Sequence, residues 1–259
     1  MLIAIDIGNT NVHVGVFDKK KMVSSFLMGT DSSRSGDEYA AILSSLIDAE
    51  GVSIQSIDGA IVGSVSPNVT PKIQYAVKKL TGINPALVGP GVKTGYPIKI
   101  DNPSELGADI VANTAGAIEQ TGGAAVVIDF GTATTVCAVD KSKAFSGCYI
   151  MPGIQMSLDS LNSTGLLPSV IANEHFPVLA KNSADSMKSG VIFGQIMAVE
   201  GFVETYIKEL DLPSNVPVLI TGGFAPMLLP YFRIKIKHVD ALTLKGLNVI
   251  YNTNQKKLK

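Results

Sequence analysis

Two carboxylates stand where an apolar strand has little reason to carry one. Asp6 interrupts IAIDIGNTN (residues 3–11) and Asp129 interrupts VVIDFGTATT (126–135), each two residues ahead of a glycine, Gly8 or Gly131. An ionised carboxylate among apolar side chains is costly unless it is paired or bound to a cation. Short hydroxyl and amide side chains follow both acids: Asn9, Thr10 and Asn11 in the first case, Thr132, Thr134 and Thr135 in the second. A carboxylate, turn amides and hydroxyls together suit Mg²⁺ held through water and phosphate oxygens held by the turn. The glycines allow the close backbone approach that phosphate oxygens need. A single turn of this kind is ordinarily just a capped loop. Two at matched places in a repeated chain point to nucleotide binding, with both carboxylates expected to line one cleft if the halves face each other.

The elements that must position these acids repeat as well. Alternation at Ile3, Ile5 and Ile7, then at Val12, Val14 and Val16, predicts two strands joined at Gly8-Asn9-Thr10, with a third over Met22–Met28. Residues 36–50 have helical spacing, 59–67 read as a buried strand, and 68–82 as a helix with Pro71 near its start. The Gly/Pro-rich stretch 88–98 predicts a loop. Asn102, Pro103 and Glu105 then read as cap, first position and capping-box acid of a helix ending at Gly122, which would put Asp109 in its second turn and Asn113 one turn further on. The strand pattern restarts at 126 and continues over 134–139 and 144–151. A long apolar helix follows over about 184–210, then a strand at 216–226, a short strand near 234–238 and a helix from Ala241. This is an internal duplication of α/β type, mixed sheets flanked by helices, divided as residues 1–118 and 119–259.

Bulk composition excludes several classes. Of 259 residues, 46% are hydrophobic and 17% charged, so a buried core is expected and disorder is not. Net charge is −1, from 21 basic and 22 acidic residues, with no basic run that would engage nucleic acid or an anionic membrane. Cys137 and Cys148 fall in neighbouring predicted strands and are expected as reduced thiols, although a disulfide is conceivable there. His13, His175 and His238 have no metal-ligand spacing and are expected in structural or surface roles. The chain starts directly on a strand and no apolar run looks long enough to span a bilayer, so the cytoplasm is the expected compartment.

The doubled turn, with ITGGFAP (220–226) as a third Gly-rich element, resembles the acetate and sugar kinase, Hsp70 and actin superfamily. DIGNTN, GPGVKTG (89–95), NPSELGAD (102–109), DFGTATT (129–135), GCYIMPGIQMSLDSL (147–161) and GVIFGQ (190–195) occur in order. Together they resemble type III pantothenate kinase, the Bvg accessory factor-like family, along essentially the whole chain. That resemblance implies two ribonuclease-H-like (actin-like ATPase) domains and transfer of phosphate from ATP to the terminal hydroxyl of pantothenate, the first step towards coenzyme A. It implies Mg²⁺, a monovalent cation (K⁺ or NH₄⁺), and a homodimer seamed in part by the long helix.

Carried over by residue, the resemblance makes Asp109 the base that orients the acceptor hydroxyl and takes its proton. Asp6 would hold Mg²⁺ through water, and Asp129 the monovalent cation. Gly8, Asn9, Thr10, Asn11 and Thr132 would contact ATP, while Tyr96, Gly107, Ala108, Ile110 and Ser183 would line the pantothenate site. One position departs: the family motif G-x-D-R reads Gly107-Ala108-Asp109-Ile110 here. The arginine that would pair with the pantothenate carboxylate is absent, and a lost charged hydrogen bond of about 1.5–3 kcal/mol predicts about 10- to 100-fold weaker binding. Lys93 or Lys99 is the candidate replacement charge, without arginine's fork. The alternatives are a phosphotransferase for another small alcohol, or a weakly active regulatory homologue.

Overall fold

Alternation places Ile3, Ile5 and Ile7 on one strand face and Ala4 and Asp6 on the other. The computed structural model, which describes residues 1–163 and 165–255, follows that pattern. In the first unit, β1 (Leu2–Ile7), β2 (Asn11–Asp18) and β3 (Lys21–Gly29) form an antiparallel meander. Then come α1 (Gly36–Ala49), β4 (Gly59–Ser64), α2 (Thr70–Thr81), the two-residue β5 (Ala86–Leu87) and α3 (Ala108–Thr121). β4 runs parallel to β1, so the sheet order is β3-β2-β1-β4-β5. Ile3, Ile5 and Ile7 pack with Leu43 and Ile47 of α1 and Ile73 of α2. A capping box starts α1: the Ser35 hydroxyl accepts from the Glu38 N–H and the Glu38 carboxylate from the Ser35 N–H.

The second unit repeats this plan. β6 (Ala125–Phe130), β7 (Ala133–Val139) and β8 (Phe145–Pro152) form the meander. α4 (Ile154–Asn162) and α5 (Ser183–Glu209) precede β9 (Val218–Thr221), the short α6 (Ala225–Leu228) and β10 (Lys237–His238). With β9 parallel to β6, the order β8-β7-β6-β9-β10 matches the first sheet strand for strand. Val126, Ile128 and Phe130 face a cluster containing Ile192, Ile196, Val199 and Val203 of α5.

The last helix, α7 (Leu242–Gln255), belongs to the first unit. That unit comprises residues 1–97, 101–120 and the chain from 242, and the second comprises 98–100 and 121–241. The single cut after residue 118 expected from sequence did not include this return. α7 goes back because Leu244 and Leu247 cover Gly15 and Gly63 of the first sheet. Its contact with α3 is a backbone approach that only glycine permits. A Cβ on Gly246 would lie 1.8 Å from the Ala112 carbonyl oxygen. The buried Thr243 hydroxyl donates to Asn113 Oδ1 at 2.9 Å in the same contact, which fixes α3 on the sheet.

Two expectations change. Asn102 caps only a 3₁₀ turn, Pro103–Glu105: its Oδ1 accepts from Ser104 N–H and its Nδ2 donates to Glu105 Oε1 at 2.7 Å. Leu106 is extended, so α3 begins at Ala108 and Asp109 lies in its first turn, not its second. α5, 27 residues long, is also apolar and long enough to cross a membrane by length and composition, against the sequence reading. Here its Ile192, Ile196, Val199 and Val203 are buried against the second sheet.

Candidate functional site

In the first unit, Asp6 is half-buried on the sheet face opposite the Ile3-Ile5-Ile7 cluster. Its ladder partners are His13 on β2 and Gly63 on β4, so the three positions share one face. α3 begins beside that point: a Cβ on Gly63 would lie 3.7 Å from the Ala108 Cβ, and Asp109 is the next residue. Gly63 thus lies beside Asp6 in the ladder and beside Ala108, the residue before Asp109. The carboxyl ends of parallel strands, where the chain reverses its order across a sheet, are where α/β folds place ligands. Beyond Asp6 the turn is held tightly, with Gly8 N–H donating to Asn11 C=O at 2.9 Å and Thr30 hydroxyl to Gly8 C=O at 2.8 Å. Asn9, Thr10 and Asn11 remain exposed on it.

Asp109 is half-buried, and its Oδ1 accepts the Ile110 N–H at 2.9 Å. A Cβ on Gly107 would come within 2.5 Å of that oxygen, so the glycine makes room for the carboxylate. Ala108 and Ile110 are buried. Tyr96 is also buried, and its hydroxyl donates to the Val111 carbonyl at 2.8 Å, bracing the first turns of α3. Asn113 is buried and accepts from Thr243.

Both arginines of the chain, and Lys99 of the two candidate replacement lysines, already have partners. Arg34 pairs with Asp31 in the first unit and Arg233 with Glu200 in the second. Burial opposes the charge on Glu200, but the hydrogen bonds from Arg233 prevail and hold its carboxyl below the usual range. Lys99 belongs to the second unit, where its ammonium donates to Asp140 at 2.7 Å and Ser142 at 3.0 Å. Burial works against the Asp140 charge, but Lys99, the Ser142 hydroxyl and two backbone N–H groups hold its carboxyl well below the ordinary 3.8. A depressed carboxylate stabilises the fold above its unfolded pKa and loses that contribution as pH falls through the folded value. Asp140→Ala is therefore expected to lower stability by about 2 kcal/mol at pH 7. In urea titrations the gap from wild type should narrow steadily below about pH 4; a gap independent of pH would refute this.

In the second unit, Asp129 is half-buried opposite Thr135 on β7 and Thr221 on β9, on the face away from the α5 cluster. It therefore repeats the position of Asp6. Gly222 has φ +96°, and a Cβ there would meet Asp129 Oδ1 and the Phe130 carbonyl, each at 2.5 Å. The Gly-rich turn after β9 is in this way folded onto the acid. Thr132 is exposed and its carbonyl accepts the Gly153 N–H at 3.1 Å, tying the turn to the start of α4. Thr134 is buried and donates to Gln195 at 2.7 Å, so that hydroxyl serves the core.

Ser183 is the exposed first residue of α5, after the cap Asn182, whose side chain accepts the Asp185 N–H at 2.9 Å. It lines a cavity of about 540 Å³ with Leu161, Leu167, Lys181, Asn182 and Met187. Lys181 is not among the residues the sequence reading singles out; its one signal there is a lysine two positions before Ser183, beside the helix cap. His13, expected in a structural or surface role, takes a register opposite Asp6 that only the strand pairing shows. Among the described residues, no group of three or more His, Cys, Asp or Glu side chains is placed to hold a metal ion.

Comparison with solved structures agrees with this doubled architecture. A Baf family protein from Campylobacter jejuni aligns with TM-score 0.60 at 18% identity, covering 98% of this chain and 99% of that one. The ethanolamine utilization protein EutJ from Carboxydothermus hydrogenoformans gives 0.53 at 15% identity, over 96% and 89%. A ROK hexokinase from Thermus thermophilus gives 0.51 at 15% identity, over 100% and 99%. At such identities the likeness establishes the fold, a two-domain ribonuclease-H-like ATPase architecture. The sequence model described as type III pantothenate kinase matches residues 2–205, which include both Asp turns, the start of α3 and most of α5. With that span matched, the chain belongs to the type III pantothenate kinase family.

Proposed function

We propose that the protein transfers the terminal phosphoryl group of ATP to the terminal hydroxyl of pantothenate, giving 4'-phosphopantothenate for coenzyme A synthesis in the cytoplasm. The observation that carries this reading is the shared neighbour Gly63, which joins the Asp6 strand end to the first turn of α3 bearing Asp109. Asp109 would orient the acceptor hydroxyl and accept its proton. Asp6 would hold Mg²⁺ through water, and the exposed Asn9-Thr10-Asn11 turn and Thr132 would bind phosphate oxygens. Asp129, with Gly222 folded against it, would hold a potassium or ammonium ion. Bound Mg²⁺ supplies neutralisation of the charge spread over the phosphates, and the protein's own share is positioning. Gly107, Ala108, Tyr96 and Ile110 would shape the acceptor site, and Ser183, with Lys181 beside it, would bind the polar part of the acceptor. A second copy of the chain would cover the α5 stripe of Gly190, Gly194, Met197 and Gly201, which is exposed here.

A coupled assay should show ATP consumption that requires pantothenate, Mg²⁺ and a monovalent cation, in a species whose measured mass is that of two chains. No turnover at saturating pantothenate would reject the reading. Buried, uncharged Ile110 favours one second reading, a related acceptor alcohol that lacks a carboxylate. Turnover of such an alcohol in preference to pantothenate would select it. A protein that turns over no alcohol at all would stand as a regulatory homologue.

A further inference from the structure

Cys137 on β7 and Cys148 on β8 are directly opposed in the antiparallel ladder, so their side chains leave the same face of the second sheet. Their sulfurs are 2.9 Å apart. Both are free thiols, with Cys137 buried and Cys148 partly exposed. A disulfide needs its sulfurs at about 2.05 Å and its Cβ atoms within about 4.5 Å, which a register-matched pair can meet without moving the backbone. The strand that carries Cys137 also carries Thr135, the ladder partner of Asp129.

We propose that Cys137 and Cys148 form a reversible oxidation site, in which a peroxide converts the dithiol into a cross-strand disulfide. Cys148, the exposed member, attacks one peroxide oxygen as thiolate. The O–O bond breaks, Cys148 becomes a sulfenic acid, and the departing hydroxide takes up the thiol proton as water. Cys137 then attacks the Cys148 sulfur: the S–O bond breaks, the S–S bond forms, and the hydroxyl leaves with the Cys137 proton as a second water. Two thiols are oxidised and one peroxide is reduced. The buried partner captures the sulfenic acid before it reaches the irreversible sulfinic state, so oxidation beside the Asp129 turn can be undone by thiol exchange.

The test is hydrogen peroxide treatment of the whole native protein, followed by alkylation, intact-mass measurement and peptide mapping. The expected product has lost two hydrogen masses, accepts no alkylating agent at either cysteine, and reverts with dithiothreitol. Its thermal midpoint should rise by about 5 °C, because a short loop is closed. Cys137→Ser should instead accumulate oxygen adducts on Cys148, whereas Cys148→Ser should leave Cys137 unmodified in the folded state. A sulfinic acid at Cys148 of the wild type with Cys137 still reduced, or disulfides only between chains, would overturn the proposal. The wild-type mass reading decides the matter even where a variant fails to fold.

Discussion

Asp109→Asn is expected to reduce phosphoryl transfer to pantothenate about 100- to 10,000-fold, the usual range for removing a positioned base. The substitution is nearly isosteric, and asparagine keeps an oxygen that can accept the Ile110 N–H as Asp109 Oδ1 now does. The start of α3, and with it the Tyr96 brace on Val111, should therefore survive. The loss should appear mainly in kcat, with KM for ATP little changed, because in the proposed reaction the carboxylate acts on the acceptor hydroxyl as it attacks. Steady-state kinetics with thermal unfolding of the same preparation reads both. A variant that keeps a rate within a few-fold of wild type, at unchanged stability, would remove Asp109 from the chemistry.

Gly222→Ala should do comparable damage by another route. Its Cβ would lie 2.5 Å from both Asp129 Oδ1 and the Phe130 carbonyl, on a backbone with φ +96° that alanine rarely adopts. Overpacking of about 1–3 kcal/mol adds to a left-handed penalty of about 1 kcal/mol. The expected loss of stability is thus about 3 kcal/mol, seen as a lower urea midpoint. Because the displaced atoms are those of the Asp129 carboxylate and its strand end, the stimulation by potassium that the proposed cation site predicts should fall as well. Gly223→Ala is the internal control, since a Cβ there meets nothing within 4 Å. Equal effects at both positions would show that the Gly222 contact is irrelevant to the turn.

Much of this was legible from local pattern. Alternation in β1 and β6 reported which face each acid must take, because an ionised group cannot share the face of Ile3, Ile5 and Ile7 or of Val126, Ile128 and Phe130. Helix spacing located α1, α2 and α5 to within a residue or two at most of their ends, and the repeat predicted mixed sheets flanked by helices; that the two sheets share one strand order is seen only in the pairing. The helix expected from Asn102 does not start there. Its capping signals were genuine, but they were satisfied within a 3₁₀ turn, and local signals cannot tell how far a helix continues.

What the sequence by itself determined was the kind of residue at each strand end and the period of each element, since these depend on neighbours a few positions away. Only the tertiary structure decided that α7 returns to the first sheet, that Gly246 seats it against Ala112, and that Gly63 is the point where the Asp6 strand meets the start of α3. The same holds for Lys99 being taken by Asp140, and for His13 facing Asp6. Those outcomes follow from packing between segments far apart in the chain, where steric fit and the pairing of buried charge act at distances that no local spacing encodes.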